Sequence, residues 1–297
     1  MVSKAKKSQD YLTKELQNKI VVITGGGQGI GKNIAIGFAN KKARVIICSR
    51  TEKDIDAVKK EIASFGGECY GSSFDVSDVK EVKIFFDYVI KKYHKIDVLI
   101  NCAGIYGPIG PLEKNDMDCW RRTLDINVFG TANCIRSVIP AMKKREQGII
   151  INLCGGGVGS HKIKPNFSAY ITSKSAIVGL TEAMANELKY SGIKVNAISP
   201  GAVNTRLLDQ VLAAGNLAGK EFFKESLEQK KKGGTPPEKA TSLCLFLATS
   251  KANFINGKLI SAVWDDYANF DKIKKDITET SLYTIRRIDD FMFKQIK

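Results

Sequence analysis

Short apolar runs alternate with amphipathic stretches of helix length along most of the chain. The runs KIVVIT, ARVIIC and ECYGSSF are followed by residues 30–40, 52–64 and 79–93, and DVLIN by a long stretch over 116–144. The rhythm continues with GIIINL and 168–190, IKVNAIS and a polar stretch over 204–235, then 237–248 and KLISAV. Most runs are unbroken Val/Ile segments, the pattern of strands covered on both faces. Strands separated by helices need crossover connections, hence a parallel sheet. The pattern predicts a single doubly wound α/β domain over residues 18–265, with about seven parallel strands flanked by helices.

Two ends fall outside this rhythm. Residues 1–17 read as a basic, frayed arm. Residues 266–297 carry apolar positions at helical spacing, which predicts a helical extension packed on a neighbouring subunit or left in solvent. The first residues lack the apolar centre of a secretion signal, and no run of about 18 apolar residues occurs, so a cytoplasmic protein that does not span a membrane is expected. Seven cysteines without a C-x-x-C pair fit free thiols in a reducing compartment. His94 and His161 are the only imidazoles and no ligand cluster surrounds them, so no metal site is expected. The net charge of +15 attracts phosphate, yet the lysines are spread over helical segments without an arginine- and aromatic-rich stripe. Nucleic acid is therefore not an expected partner, and steering of an anionic cofactor or substrate is the functional reading that remains.

After the first apolar run comes Thr24-Gly25-Gly26-Gly27-Gln28-Gly29-Ile30-Gly31, leading straight into a helix. Glycine admits positive φ and close backbone approach, and free N–H groups at a helix start bind pyrophosphate. Behind the first strand of such an alternation, this run predicts a dinucleotide site; a plain tight turn needs fewer glycines. The second strand ends Cys48-Ser49-Arg50, where an NAD enzyme would place a carboxylate on the ribose 2′-hydroxyl. A hydroxyl and a planar cation suit the 2′-phosphate of NADP instead. NADP(H) is the expected cofactor, ahead of NAD(H).

The spacing G-x-x-x-G-x-G resembles that of the short-chain dehydrogenase/reductase family, and further matches follow in family order. Asp75-Val76 resembles the pair that faces adenine, and Asn101-Cys102-Ala103-Gly104 is similar to the family's Asn-Asn-Ala-Gly turn. Pro200-Gly201, with Val203 and Thr205, looks like the segment that holds the nicotinamide amide. The resemblance spans residues 18–263 and implies a Rossmann-type fold, a small-molecule carbonyl or alcohol substrate, and a homodimer or homotetramer built through 116–144 and 168–190.

Tyr170 and Lys174, four apart at the start of a predicted helix, lie on one face one turn apart. A phenol of pKa about 10 is lowered by a nearby ammonium, which predicts proton exchange between Tyr170 and a substrate oxygen near neutral pH while hydride moves at the nicotinamide. The resemblance further implies that Lys174 holds the nicotinamide ribose and that Asn127 kinks its helix and holds a relay water through its backbone carbonyl. A buried Asn127 satisfied locally is the plainer reading of that residue.

The departure lies in Leu153-Cys154-Gly155-Gly156-Gly157-Val158-Gly159-Ser160. Family members carry a Ser-Ser pair after this strand, the second serine 13 residues before the tyrosine, and that position is Gly157. A strand-anchored alignment puts Cys154 and Gly155 there instead. That serine donates to the substrate oxygen, and losing such a donor costs about 10²–10³ in rate. The Cys154 S–H, the N–H groups of Gly155 to Gly157, or Ser160 folding back are the candidate replacements, the glycine run being preferred. The loop looks like an atypical bacterial subgroup linked to surface-carbohydrate biosynthesis, and Tyr106, Trp120, His161, Lys162, Lys164, Arg206, Phe222 and Phe223 suggest a polar, anionic substrate. A sugar or sugar nucleotide is expected ahead of a 3-oxoacyl thioester. The competing reading is a cofactor-binding regulator or scaffold with weakened chemistry.

Overall fold

The computed structural model describes residues 10–160 and 163–288. Seven strands form one parallel sheet: β1 (Ile20–Thr24), β2 (Arg44–Ser49), β3 (Glu68–Ser73), β4 (Val98–Asn101), β5 (Gly148–Leu153), β6 (Ile193–Ser199) and β7 (Leu259–Ser261), ordered β3-β2-β1-β4-β5-β6-β7. All five residues of β1 are buried, which is why the run carries no polar alternation. Val21 and Ile23 enter a core closed by α2 (Gly29–Ala39), α3 (Glu52–Ser64) and α10 (Glu238–Leu247). Ile20 and Val22 enter the opposite core, closed by α4 (Val79–Tyr93), α6 (Gly130–Lys144) and α7 (Ser168–Glu187). The strand order reverses at β1, which pairs β2 on one side and β4 on the other, so a crevice opens at their carboxyl ends.

The stretch over 116–144, expected as one helix, is divided. α5 (Met117–Leu124) runs into a π turn over Asp125–Phe129 before α6 begins. A side chain on Gly130 would strike Val76, so the helix passes the third crossover only where it carries no Cβ. The polar stretch after β6 forms α8 (Arg206–Ala214) and α9 (Lys220–Lys232), which stand over the carboxyl end of the sheet's second half.

Both chain ends described are integral to this body. Residues 10–16, read from sequence as part of a frayed arm, form a helix, α1, whose Leu16 is fully buried and whose Glu15 accepts from Ser250 N. Residues 1–9 lie outside the described residues. The tail, expected on a neighbour or in solvent, folds back on its own chain through a 3-10 turn over Tyr267–Ile273 and α11 (Lys274–Glu279), burying Phe270 and Ile277 in the first core. Leu259 N donates to Tyr283 O, and Lys258 Nζ to the carbonyls of Thr280 and Leu282. Residues 289–297 lie outside the described residues. No described helix is long and apolar enough to cross a membrane.

Candidate active site

The glycine turn after β1 is shaped by what surrounds it. Gly25 has φ +65 and lies so close to Ala103 that a Cβ would stand 2.9 Å from its backbone. A Cβ on Gly31 would overlap the Gly25 carbonyl, so the first turn of α2 closes directly on the loop. Gly29, at φ +54, faces Thr205, the N-cap of α8, whose methyl would be 3.2 Å from a Cβ. These are the close backbone approaches that leave room for a diphosphate at a helix start, where Gln28 precedes the unpaired N–H groups of α2. The Asn101–Gly104 turn is held by Thr24, whose hydroxyl accepts from Cys102 N and Ala103 N, both at 3.1 Å.

A cleft continues from this turn, lined by Gln28, Ser49, Arg50, Asp75, Val76 and Ala103. Its shape and donor set fit the adenosine half of a dinucleotide. Arg50 makes no ion pair among the described residues, whereas Asp75 accepts from Ser77 N and Oγ at 2.9 and 2.7 Å and pairs with Arg122 at 2.5 Å. Against the effect of burial, those bonds hold the Asp75 carboxyl below its usual range. Ile30 sits in the first turn of α2. Pro200 is buried; Gly201, at φ +87, is pressed against Thr235 and Val263, and Val203 N donates to its carbonyl.

Asn101 is placed differently from the cleft residues. Its side chain turns into the sheet and donates to Asn152 Oδ1 at 2.9 Å, while Asn152 donates to Thr181. The Asn101 Oδ1 atom is buried without a partner among the described residues. It organises the strand ends beneath the site.

Tyr170 and Lys174 stand on successive turns at the start of α7, both buried. Lys174 Nζ donates to Leu153 O at 2.8 Å and lies 5.7 Å from the Tyr170 ring centre. Gly104 packs so closely that its Cβ would fall 3.5 Å from Lys174 Nζ and 3.2 Å from Asn127 Oδ1. The expected lowering of the Tyr170 pKa is not observed. Burial pushes the phenol well above its usual value, with Tyr106, Cys154 and Cys102 adding to the rise, while burial lowers Lys174.

Asn127 occupies the π turn. Its side chain accepts from Ile105 N and donates to Ile105 O, both at 2.9 Å, and donates to Ser173 Oγ at 2.8 Å. Ser173 donates onward to Tyr170 O. Asn127 O accepts from Thr131 Oγ1 at 2.8 Å. Asn127 is thus satisfied locally and also fastens the loop after β4 to the tyrosine's own turn. Thr24 and Ser173, which position the site, escaped sequence reading because a hydroxyl's partner 78 residues away leaves no local signal.

The Cys154 thiol is turned onto the Lys174 carbonyl, 3.6 Å away, and Ser160 Oγ donates to Gly157 O at 2.8 Å. A Cβ on Gly155 would stand 3.2 Å from the Tyr170 hydroxyl, so Gly155 holds the place facing the reacting oxygen. Gly155, Gly156 and Gly157 have φ of 143, 68 and 77, backbone that a serine adopts only under strain. Around Tyr170 the walls are apolar: Tyr106, Phe167, Ile171, Val211 and Phe222. Arg206, expected at the substrate, instead makes a two-pronged pair with Asp54 at 2.9 and 3.1 Å, tying α8 to α3. Lys164 pairs with Glu225, and Trp120 donates to Ser168. His161 and Lys162 lie outside the described residues. Among the described residues, no group of three or more His, Cys, Asp or Glu side chains is placed to hold a metal ion.

Comparison with known proteins agrees with this geometry. The profile of the short chain dehydrogenase family matches residues 19–215. The chain is 34% identical over 254 residues to an uncharacterized oxidoreductase of Bacillus subtilis, covering 83% of this chain and 90% of that protein. It is 31% identical over 252 residues to the 7alpha-hydroxysteroid dehydrogenase of Escherichia coli, covering 83% and 93%. A crystal structure of NAD+-bound xylitol dehydrogenase superposes with a TM-score of 0.77 at 26% identity, over 83% of this chain and 98% of that one. With its sheet order, its glycine turn and its buried Tyr170–Lys174 pair, the chain belongs to the short-chain dehydrogenase family of oxidoreductases.

Proposed function

We propose that the protein is an NADP(H)-preferring carbonyl reductase or alcohol dehydrogenase, with Tyr170 as general acid and base. The observation that carries this reading is the convergence of Tyr170, Lys174 and Asn127 on the loop that the glycine turn also touches. Gly25, Gly27, Gln28, Gly29, Ile30 and Gly31 would receive the diphosphate, Ser49 and Arg50 the 2′-phosphate, Asp75 and Val76 the adenine. Ala103 and Gly104 would border the nicotinamide ribose beside Lys174, and Pro200, Gly201, Val203 and Thr205 the nicotinamide. The bound cofactor supplies or accepts the hydride. Tyr170, whose phenol burial pushes above its usual value, holds the proton that a carbonyl oxygen needs. Lys174 and Asn127 provide the route by which that proton is replaced.

The apolar wall formed by Tyr106, Phe167, Val211 and Phe222 favours a substrate whose carbonyl lies beside an apolar or ring surface. A sugar offering its C–H face to the aromatic rings fits this wall, and so does a 3-oxoacyl thioester. One observation favours the competing reading, a cofactor-binding regulator or scaffold: no serine hydroxyl stands where Gly155 faces Tyr170. A cytoplasmic homodimer or homotetramer accompanies either reading.

The test is an NADPH and NADH fluorescence titration followed by a panel of keto sugars, sugar nucleotides, 3-oxoacyl thioesters and cyclic ketones. NADPH oxidation with one member is expected. Tight binding without turnover would favour the regulator, and no binding would overturn both.

A further inference from the structure

A hydride acceptor carbonyl is best stabilised by two donors, one of which delivers the proton. Here the loop that normally offers the second one has none in its side chains: Gly155 faces the Tyr170 hydroxyl, the Cys154 thiol is engaged with Lys174 O, and the Ser160 hydroxyl with Gly157 O. Across the Tyr170 ring stands another phenol. Tyr106 meets Tyr170 edge-on, with ring centres 4.5 Å apart at 72°, and is backed by Phe167 at 5.4 Å and 60°.

Three features set Tyr106 apart from a packing residue. Its loop is fixed, because Asn127 holds both the N–H and the carbonyl of Ile105, one residue before it. It is only partly buried, and its hydroxyl makes no hydrogen bond to another described residue, so that oxygen is left to meet a ligand. Lastly, the two phenols are in edge contact and Tyr106 adds to the rise in the Tyr170 pKa, while burial raises that of Tyr106 itself.

We propose that Tyr106 is a second catalytic residue, whose hydroxyl donates to the substrate oxygen in place of the serine that this chain lacks. The proposal rests on the carbonyl-reductase reading. Tyr170 delivers the proton and Tyr106 keeps its own, polarising the carbonyl as hydride arrives at carbon and charge grows on oxygen.

The experiment compares the parent protein, Tyr106→Phe and Tyr170→Phe in NADPH oxidation with 9,10-phenanthrenequinone, an apolar ring diketone, alongside NADPH titration and thermal unfolding. For Tyr106→Phe, kcat is expected to fall about 10²–10³-fold, with KM changed little, because the donor acts on charge that develops in the transition state. NADPH affinity and unfolding temperature should match the parent. A Tyr106→Phe kcat within about threefold of the parent, with Tyr170→Phe inactive, overturns the Tyr106 role alone and leaves the Gly155–Gly157 N–H groups as the donors. A parent inactive towards the diketone and the whole ketone panel overturns both readings.

Discussion

Replacing Arg50 by alanine isolates the cofactor preference from the chemistry. The guanidinium lines the adenosine end of the cleft beside Ser49, and it makes no ion pair among the described residues. The one carboxylate nearby, Asp75, is paired with Arg122 and bonded to Ser77, and Arg50 acts on it only through space, so the guanidinium's donors are open to a ligand. A doubly charged phosphate about 4 Å from a cation gains about 2 kcal/mol in water, and a charge-assisted hydrogen bond contributes about 1.5–3 kcal/mol. Arg50 is exposed, so the lower part of that range applies, a loss of about 10–50-fold in NADPH affinity. NADH, lacking the phosphate, should change by less than about threefold. Fluorescence titration of both cofactors against parent and variant reads the difference directly. Repeating it at about 0.5 M salt should shrink the NADPH loss, because an exposed pair is screened. Equal losses for the two cofactors, or no loss for either, would show that Arg50 does not read the 2′-phosphate.

Tyr170→Phe should reduce turnover to background while NADPH affinity stays within a few-fold; retained turnover would remove the general-acid role. Cys154→Ser should leave kcat within about threefold, since the thiol already faces the Lys174 carbonyl and a hydroxyl can do the same; a marked rate increase would place the new hydroxyl at the substrate. Asp97→Asn tests a structural ion cluster: burial alone would raise the Asp97 pKa, but Ile20 N–H, Lys95 and Arg145, at 2.8 to 2.9 Å, hold it below its usual value. Stability from that group is present above the unfolded pKa of about 3.9 and is lost as pH falls through the lower folded value. The variant should therefore lose about 1–3 kcal/mol in urea unfolding at pH 7, and the difference should begin to shrink as pH falls below about 4; a difference that stays constant on acidification would refute the pairing.

The sheet and the cofactor turn were legible because each is written in contiguous residues. A fully covered parallel strand needs a run such as Ile20–Thr24, and five glycines after it have few other uses. Tyr170 and Lys174 were legible because helical spacing puts them on one face. What could not be read depends on contacts between distant segments. The π turn at Asp125–Phe129 falls at the Asn127 kink that the resemblance implied, but the helix's own periodicity carries no trace of it. The phenol pKa was misjudged because spacing shows that an ammonium is near and not how deeply the phenol is buried beside Tyr106. Arg206 was assigned to the substrate for want of any sign that Asp54, 152 residues earlier, would claim it. Helix α1 was hidden by its lysine-rich surroundings, since its apolar contact is short, with Leu16 buried and Leu12 packed beside it.

The tail beyond β7 has a consequence for handling and for kinship. Within the sheet, the last strand would present free amide groups to any passing extended chain, a common route to aggregation. Residues 280–283 cover that border with carbonyls on Leu259 N and the Lys258 ammonium. A protein shortened after Asp265, beyond the 19–215 span matched by the family profile, would uncover the border together with the sockets of Phe270 and Ile277. Relatives that stop there must shield the same strand by other means, with their own side chains or with another subunit, so the tail is a point at which assembly and solubility can diverge while the chemistry stays the same.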